Sequence, residues 1–162
     1  MLIIFDLDQT LVRPVPGVKV PNRIDQQEMI PGVVERCAEL RAEGHRLAMA
    51  SNQGGVALGI ADFHETLDRV EDAAKKIGTG GYWIASLYHE KGTIRQPHNP
   101  DEGYCNDPFW RKPMPGMLLH LMLETRTTAP DTLFVGDQES DRQAAINAGV
   151  RFEWAKDFFG WT

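Results

Sequence analysis

The sequence is poor in cysteine and has no long apolar run. Its only cysteines among 162 residues are Cys37 and Cys105, too few for a disulfide framework and suited to a reducing compartment. No stretch approaches the roughly 18 apolar residues of a membrane-spanning helix, and the apolar start reaches Asp6 after five residues with no basic segment before it. We therefore expect neither secretion nor membrane attachment, and we predict a cytoplasmic location.

Positive charge is also scarce, because 17 Lys and Arg residues stand against 23 Asp and Glu residues and leave a net charge of −6. This balance argues against broad binding to nucleic-acid backbones but leaves a local basic groove open. The hydrophobic fraction of 42% excludes a disordered chain, and a chain of this length can bury a core without cross-links. We predict one domain over residues 1–162, and the sequence leaves its oligomeric state open.

Short apolar runs alternate with segments of helical periodicity. Buried strands are predicted at residues 2–5, 46–50, 83–87, 132–135 and 150–154. Helices are predicted at residues 32–43, 62–77, 117–123 and 140–148. This order predicts an α/β fold in which a parallel central sheet carries helices on both faces. Two segments, residues 11–28 and 89–113, show neither period and are predicted to be irregular loops.

Polar residues stand where three of the predicted strands stop. The first strand is followed by Asp6 and Asp8, the second by Ser51-Asn52-Gln53, and another by Gly136-Asp137 with Asp141 four residues further on. In an open α/β sheet, the carboxyl ends of the strands form the binding edge. Taken singly, each motif could also be a solvated turn or an acidic helix start.

The residue types at these positions suit phosphoryl chemistry. A carboxylate can attack phosphorus while a neighbouring acid protonates the leaving oxygen, which gives Asp6 and Asp8 separate roles. Four nearby carboxylates repel one another unless a cation lies among them, and oxygen ligands favour Mg²⁺. Ser51 offers a hydroxyl group, and Arg111 with Lys112 offers positive charge to the transferring phosphoryl group.

In chain order, the motifs D-x-D-x-T, S-N-Q, R-K-P-x-P-G-M-L and G-D-x-x-x-D resemble the four motifs of the haloacid dehalogenase (HAD) phosphohydrolase superfamily. The resemblance covers nearly the whole chain and implies a Rossmann-like HAD fold. The third motif, at residues 112–118, is most similar to that of the subgroup containing heptose-bisphosphate phosphatase, histidinol-phosphate phosphatase and the 3′-phosphatase of polynucleotide kinase.

The resemblance implies a role for each of these side chains. Asp6 would be the nucleophile that forms an aspartyl-phosphate, and Asp8 the general acid that later activates water. Ser51 and Lys112 would hold the phosphoryl oxygens. The implied Mg²⁺ ligands are Asp6, the backbone carbonyl of Asp8, Asp137, and Asp141 as a direct or outer ligand. The residues expected to bind substrate are Thr10, Asn52, Gln53 and Arg111.

The sequence departs from the superfamily pattern in two places. Position 9 is Gln where the family commonly has Gly, which allows backbone angles that Gln resists. Sugar and histidinol phosphatases of the subgroup often carry a Cys/His zinc loop before the third motif. Here His89, His98 and Cys105 are widely spaced, without a C-x-H or C-x-C pair, so we do not expect a structural zinc ion.

The spacing of the motifs bears on substrate selection. About 40 residues separate the first two motifs and about 60 the next two, which leaves little room for an independent cap domain. We expect an open site in which residues 11–28 and 89–113 set specificity. The leading hypothesis is a Mg²⁺-dependent phosphomonoesterase acting on a small phosphorylated metabolite. The alternatives are a polynucleotide 3′-phosphatase, which would bind a nucleic-acid 3′ end, and a non-catalytic HAD-like binding scaffold.

Overall fold

A computed structural model of the chain describes residues 1–93 and 95–162. Six of its strands are β1 (Leu2–Phe5), β4 (Arg46–Asn52), β5 (Trp83–Ser86), β6 (Tyr104–Cys105), β7 (Thr132–Gly136) and β8 (Arg151–Trp154). They form one sheet in the order β6-β5-β4-β1-β7-β8, and all its neighbours pair in parallel. The predicted parallel α/β architecture is confirmed, and β1 lies between β4 and β7 at its centre.

Helices cover both faces of this sheet. They are α1 (Val33–Ala42), α2 (Phe63–Ile77), α3 (Gly116–Thr125), α4 (Glu139–Ala148) and the short α5 (Ala155–Phe159). Alternate residues of β1 point to opposite faces, so that Ile3 and Phe5 pack with α1 and α2, whereas Leu2 and Ile4 pack with α3 and α4. Burial of both strand faces explains why the strands are continuous apolar runs.

Helix α2 has clear start and stop signals. The side chain of Asp62 accepts a hydrogen bond from the backbone N–H of Glu65, which caps the amino end of the helix. Gly78 ends the helix at φ +80°, a backbone angle that favours glycine. The buried side of α2 includes Thr66, Val70 and Ala73, and the same stripe contains a charged residue, Arg69.

The two segments predicted to be irregular loops each contain a short strand that the sequence does not predict. Within residues 11–28, β2 (Val12–Pro14) pairs antiparallel with β3 (Gln27–Met29) after a 3₁₀ turn. Within residues 89–113, β6 adds the edge strand of the main sheet, which places Cys105 in the core. A two-residue strand carries no readable period, and its pairing with β5 is a tertiary contact.

The sequence does not predict a helix in the C-terminal segment. Helix α5 follows β8 directly, and its Phe158 and Phe159 rings lie 5.6 and 5.9 Å from the ring of Phe5. Trp161 then stacks on Phe159 at 5.0 Å. Aromatic packing thus attaches the tail to the strand that precedes Asp6. Every helix in the described part of the chain is too short or too polar to span a bilayer.

Candidate active site

The polar residues that follow β1, β4 and β7 meet at the carboxyl edge of the sheet, as the sequence predicts. Asp6 extends β1, and its backbone N–H donates to the carbonyl of Val135 in β7. Ser51 lies near the end of β4, and Asp137 directly follows β7. Because these three strands are neighbours, their side chains share one small region above the centre of the sheet.

Lys112 is the buried cation of this region. Its ammonium donates to Asp6 Oδ1 at 2.8 Å and to the carbonyl of Ala50 at 2.9 Å. It also lies 2.7 Å from Asp141 Oδ1 and 5.3 Å from the centre of the Phe134 ring. Lys112 is only 3% exposed, so these partners stand in for water around a charge that is costly to bury.

Burial and charge act in opposite directions on this pair. Loss of solvent raises the pKa of Asp6 well above its usual value, and the adjacent ammonium of Lys112 opposes that rise. Burial by itself lowers the pKa of Lys112, but the carboxylates of Asp6 and Asp141 raise it to about 12. Lys112 is therefore charged at neutral pH, and a second cation would favour the ionised form of Asp6.

Asp141 is buried at the start of α4 and uses both carboxylate oxygens within the protein. Its Oδ2 accepts from the backbone N–H groups of Asp137 and Gln138 at 3.1 and 3.0 Å, while its Oδ1 faces Lys112. A Cβ atom at Gly136 would lie 2.5 Å from Asp141 Oδ2. Glycine is therefore required before Asp137 so that Asp141 can close this turn.

Asp8 lies apart from the Lys112 cluster and pairs with a different cation. Both of its carboxylate oxygens accept hydrogen bonds from Arg69, at 2.9 and 3.0 Å. Its Oδ2 also accepts from the side-chain amide of Gln53 at 3.0 Å. The two carboxylates of the D-x-D motif thus have separate surroundings, as two separate chemical roles require.

Residues of the S-N-Q motif contact Asp8 directly and Asp6 through Lys112. Ser51 is buried, and its Oγ accepts from the amide of Gln53 at 2.8 Å. The Asn52 side chain donates to the carbonyl of Lys112 at 2.9 Å and accepts from its N–H at 3.0 Å. Asn52 and Gln53, expected to bind substrate, therefore contact residues that are expected to carry out the chemistry.

The two other residues expected to bind substrate differ in exposure. Thr10 is fully buried, and its hydroxyl donates to Asp137 Oδ1 at 3.4 Å. Arg111 is half-buried at the rim, where one guanidinium N–H donates to the carbonyl of Tyr88 at 3.1 Å. Between Asp8 and Thr10, Gln9 adopts φ +63°, so the turn keeps a left-handed geometry although the residue is not glycine.

The described residues contain two groups of three metal-ligating side chains whose ligand atoms all lie within 4.8 Å of one another: Asp6, Asp137 and Asp141, and Asp101, His120 and Glu124. The first is an all-oxygen set at the ends of β1 and β7 and the start of α4, and it fits Mg²⁺. Burial raises the pKa of Asp137 in this group. The three residues considered for zinc, His89, His98 and Cys105, belong to neither group of described residues. Each of them forms a hydrogen bond with a backbone atom.

Arg69 and Gln27 were not identified as site residues from the sequence. The signal for Arg69 was a charged residue in the apolar stripe of α2, a position where burial requires a partner. Gln27 had no comparable signal, because it belongs to a strand that the sequence does not predict. Arg69 bonds to Asp8 from α2, and Gln27 bonds to Arg69 from β3.

Comparison with known proteins agrees with this geometry. Residues 1–159 match the family model described as polynucleotide kinase 3 phosphatase. The chain is 33% identical over 132 residues to D-glycero-beta-D-manno-heptose-1,7-bisphosphate 7-phosphatase of Photorhabdus laumondii, covering 80% of this chain and 67% of that one. It is 32% identical over 135 residues to the corresponding alpha-heptose enzyme of Campylobacter jejuni, covering 82% and 70%.

A solved structure shares the fold as well. The D,D-heptose 1,7-bisphosphate phosphatase of B. bronchiseptica, complexed with magnesium and phosphate, superposes with a TM-score of 0.67 at 25% identity and covers 93% of this chain and 78% of that one. Both the sequence match and the fold match extend over nearly the whole chain. The chain therefore belongs to the polynucleotide kinase 3 phosphatase family within the HAD superfamily and is a phosphoric monoester hydrolase.

Proposed function

We propose that this phosphatase is Mg²⁺-dependent, forms an aspartyl-phosphate on Asp6, and hydrolyses a small phosphorylated metabolite. The observation that carries the proposal is the convergence of Asp6, Lys112 and Asp137 at the carboxyl edge of the sheet. Asp6 is a buried carboxylate with a cation 2.8 Å away, and Asp137 and Asp141 present further carboxylate oxygens within 4.8 Å of it. A nucleophile next to concentrated positive charge suits attack on an anionic phosphate.

The reaction has two steps. Asp6 attacks phosphorus, and the bond from phosphorus to the leaving oxygen breaks. The protonated form of Asp8 gives that oxygen its proton and becomes the carboxylate that pairs with Arg69. Asp8 then takes a proton from water, and the water oxygen attacks the aspartyl-phosphate, which releases phosphate and frees Asp6. Ser51 and Lys112 bind the phosphoryl oxygens, so Lys112 exchanges part of its contact with Asp6 for a substrate oxygen. Asn52 fixes the backbone of Lys112 on both sides.

The Mg²⁺ site we propose uses the carboxylates of Asp6 and Asp137 together with the backbone carbonyl of Asp8. When bound, Mg²⁺ supplies a Lewis acid that offsets charge on the phosphoryl group. Asp141 takes the outer position, because its two oxygens already bond to Lys112 and to two backbone N–H groups. In that position Asp141 holds Lys112 and the Asp137 turn in place.

A sugar phosphate is the substrate class we favour. The support comes from the relatives named as heptose-bisphosphate phosphatases. Arg111 at the rim is suited to bind a second anionic or hydroxyl group of such a substrate, because its guanidinium forms forked hydrogen bonds.

The test is release of phosphate from a panel of sugar, nucleotide and amino-alcohol phosphates, with Mg²⁺ and with EDTA. We expect turnover that requires Mg²⁺ and is abolished in Asp6→Asn. Asp131→Asn is the matched control and should stay active, because this exposed aspartate precedes β7 at the edge of the sheet opposite the site. Acid quenching followed by peptide mass analysis should show one phosphoryl group on the peptide that contains Asp6. Equal activity of the wild type and Asp6→Asn would contradict the proposal.

A polynucleotide 3′-phosphatase is the second candidate, because the matching family model carries that description. The net charge of −6 weighs against it, since phosphate backbones attract basic surfaces. Comparing kcat/KM for a 3′-phosphorylated oligonucleotide with that for hexose phosphates separates the two. A preference for the oligonucleotide that falls steeply with added salt would favour the nucleic-acid substrate.

A further inference from the structure

We infer that Arg69 is a positioning residue that holds the carboxylate of Asp8 in place for proton transfer. The inference rests on the proposed function, in which Asp8 is the general acid and base. It concerns a residue outside the four superfamily motifs, located in the middle of α2. It also gives a role to Gln27, which reaches the site from the β2–β3 hairpin.

The contact between Arg69 and Asp8 is forked. Nη1 of Arg69 donates to Asp8 Oδ1 at 2.9 Å, and Nη2 donates to Oδ2 at 3.0 Å. The Arg69 side chain is 3% exposed, whereas that of Asp8 is 39% exposed. A planar guanidinium that meets both oxygens of a carboxylate fixes its plane as well as its distance. The buried Arg69 therefore sets the orientation of the more exposed Asp8 carboxylate.

Two glutamines hold the guanidinium itself. Gln27 accepts from Arg69 Nη1 at 2.8 Å, and its amide donates to the backbone carbonyl of Arg69 at 3.0 Å. Gln53 accepts from Nη2 at 3.1 Å and donates to both Asp8 and Ser51. The network thus runs from α2 and β3 to two residues that the mechanism uses, Asp8 and Ser51.

Stability alone does not account for this arrangement. A buried ion pair is often no more stabilising than apolar residues of the same size, because both ions lose water. Arg69 is one of the buried residues of α2, and the others in its stripe, such as Val70 and Ala73, are small or apolar. Proton transfer, in contrast, depends on a carboxylate held to within a fraction of an ångström of the leaving oxygen. The cost of burying Arg69 is explained if it serves that requirement.

The leaving group offers a selective test. Kinetic constants kcat/KM report all steps up to departure of the leaving group, and an alkyl leaving group needs a proton far more than a nitrophenyl group does. In Arg69→Gln and Arg69→Lys, we expect kcat/KM for an alkyl phosphate to fall by on the order of 100-fold. For 4-nitrophenyl phosphate, we expect a fall of less than about tenfold. A purely structural role would lower both by the same factor.

Gln27→Leu provides a second variant in case the Arg69 variants fold poorly. This variant retains the Arg69 guanidinium but removes the acceptor that holds it. We therefore expect a selective fall in kcat/KM for the alkyl phosphate that is smaller than the fall in the Arg69 variants. Arg46→Gln is the matched control. The Arg46 guanidinium donates a hydrogen bond to the carbonyl of Thr125, but Arg46 lies at the start of β4, at the end opposite Ser51. Arg46→Gln should leave both kinetic constants unchanged.

A double-mutant cycle with Asp8→Asn completes the experiment. If Arg69 acts through Asp8, Arg69→Gln adds little further loss in the Asp8→Asn background. Equal losses on both substrates, or additive losses in the cycle, would overturn the inference. Failure of the proposed function is a different result, because the wild type and Asp6→Asn would then release phosphate equally, whatever happens at Arg69.

Discussion

The ammonium of Lys112 lies 2.8 Å from Asp6 Oδ1 although the two residues are 106 positions apart in the chain. The contact is buried on both sides, and Asp141 completes it from α4. One buried cation thus faces a cluster of carboxylates. Such a cluster is stable only while that cation, or a second one, is present.

Removal of Lys112 should therefore cost stability as well as activity. In Lys112→Met, without Mg²⁺, we expect the free energy of unfolding to fall by about 3–5 kcal/mol, because two buried carboxylates lose their partner. Added Mg²⁺ should recover part of this loss, and urea denaturation with and without Mg²⁺ measures both. Lys75→Met is the control, since the Lys75 side chain is 75% exposed. No loss of stability in Lys112→Met would contradict the role of the ion cluster.

Asn52 should matter because it fixes the backbone of Lys112. In Asn52→Ala, we expect a loss of about 1–3 kcal/mol in the free energy of unfolding, because the N–H and C=O of Lys112 lose their partners. Phosphatase kcat should fall as well, since the ammonium is no longer held at its position. Asn147→Ala removes a similar bond, to the carbonyl of Pro113, at an exposed site. A similar effect of both substitutions would show that the bond is not specific to the site.

Gln9 adopts a left-handed backbone angle, φ +63°, that costs a residue with a side chain about 1–2 kcal/mol. Glycine avoids this cost but loses about 0.5–1 kcal/mol through the entropy of the unfolded chain. We therefore expect Gln9→Gly to stabilise the fold by about 0.5–1 kcal/mol. Gln9→Val should destabilise it, because a branched side chain tolerates this angle poorly. Thermal unfolding of the wild type and both variants measures these differences. Equal stabilities of Gln9→Gly and Gln9→Val would contradict a left-handed backbone angle at position 9.

Burial raises the pKa of the Cys37 and Cys105 thiols to about 12. At pH 8 the thiolate fraction in the folded protein is then about one in ten thousand, against about one in ten when unfolded. We expect iodoacetamide to react at least about 1,000-fold faster in denaturant than in buffer. Single-thiol variants, Cys37→Ala and Cys105→Ala, assign the rates. A fast reaction of either native thiol would contradict its burial.

The same pKa shifts predict a loss of stability in alkali. A thiol whose pKa is higher when folded keeps its full contribution below the unfolded value, 9.0. It then loses that contribution as the pH rises toward about 12, because the unfolded chain releases its protons first. Replacement of both cysteines by alanine should reduce the fall of unfolding free energy in this interval. An unchanged slope would show that other groups cause it.

Five strands of the parallel sheet, four helices and the four motifs at the strand ends could be predicted from the sequence. These features are local: apolar runs identify strands buried on both faces, a 3.6-residue period identifies helices, and the polar residues stand directly after the strands. Since parallel strands bring their carboxyl ends to one edge, the proximity of Asp6, Ser51 and Asp137 followed from their order alone. The family resemblance then indicated a phosphatase.

The remaining contacts depend on the folded arrangement of elements that are distant in sequence. The β2–β3 hairpin and the two-residue strand β6 are too short to show a period, and their pairing depends on partners that are distant in sequence. The forked contact of Arg69 with Asp8 joins residues 61 positions apart, and Gln27 joins it from a third element. Hydrogen bonds of this kind depend on side-chain geometry across separate elements, which residue type and spacing do not encode.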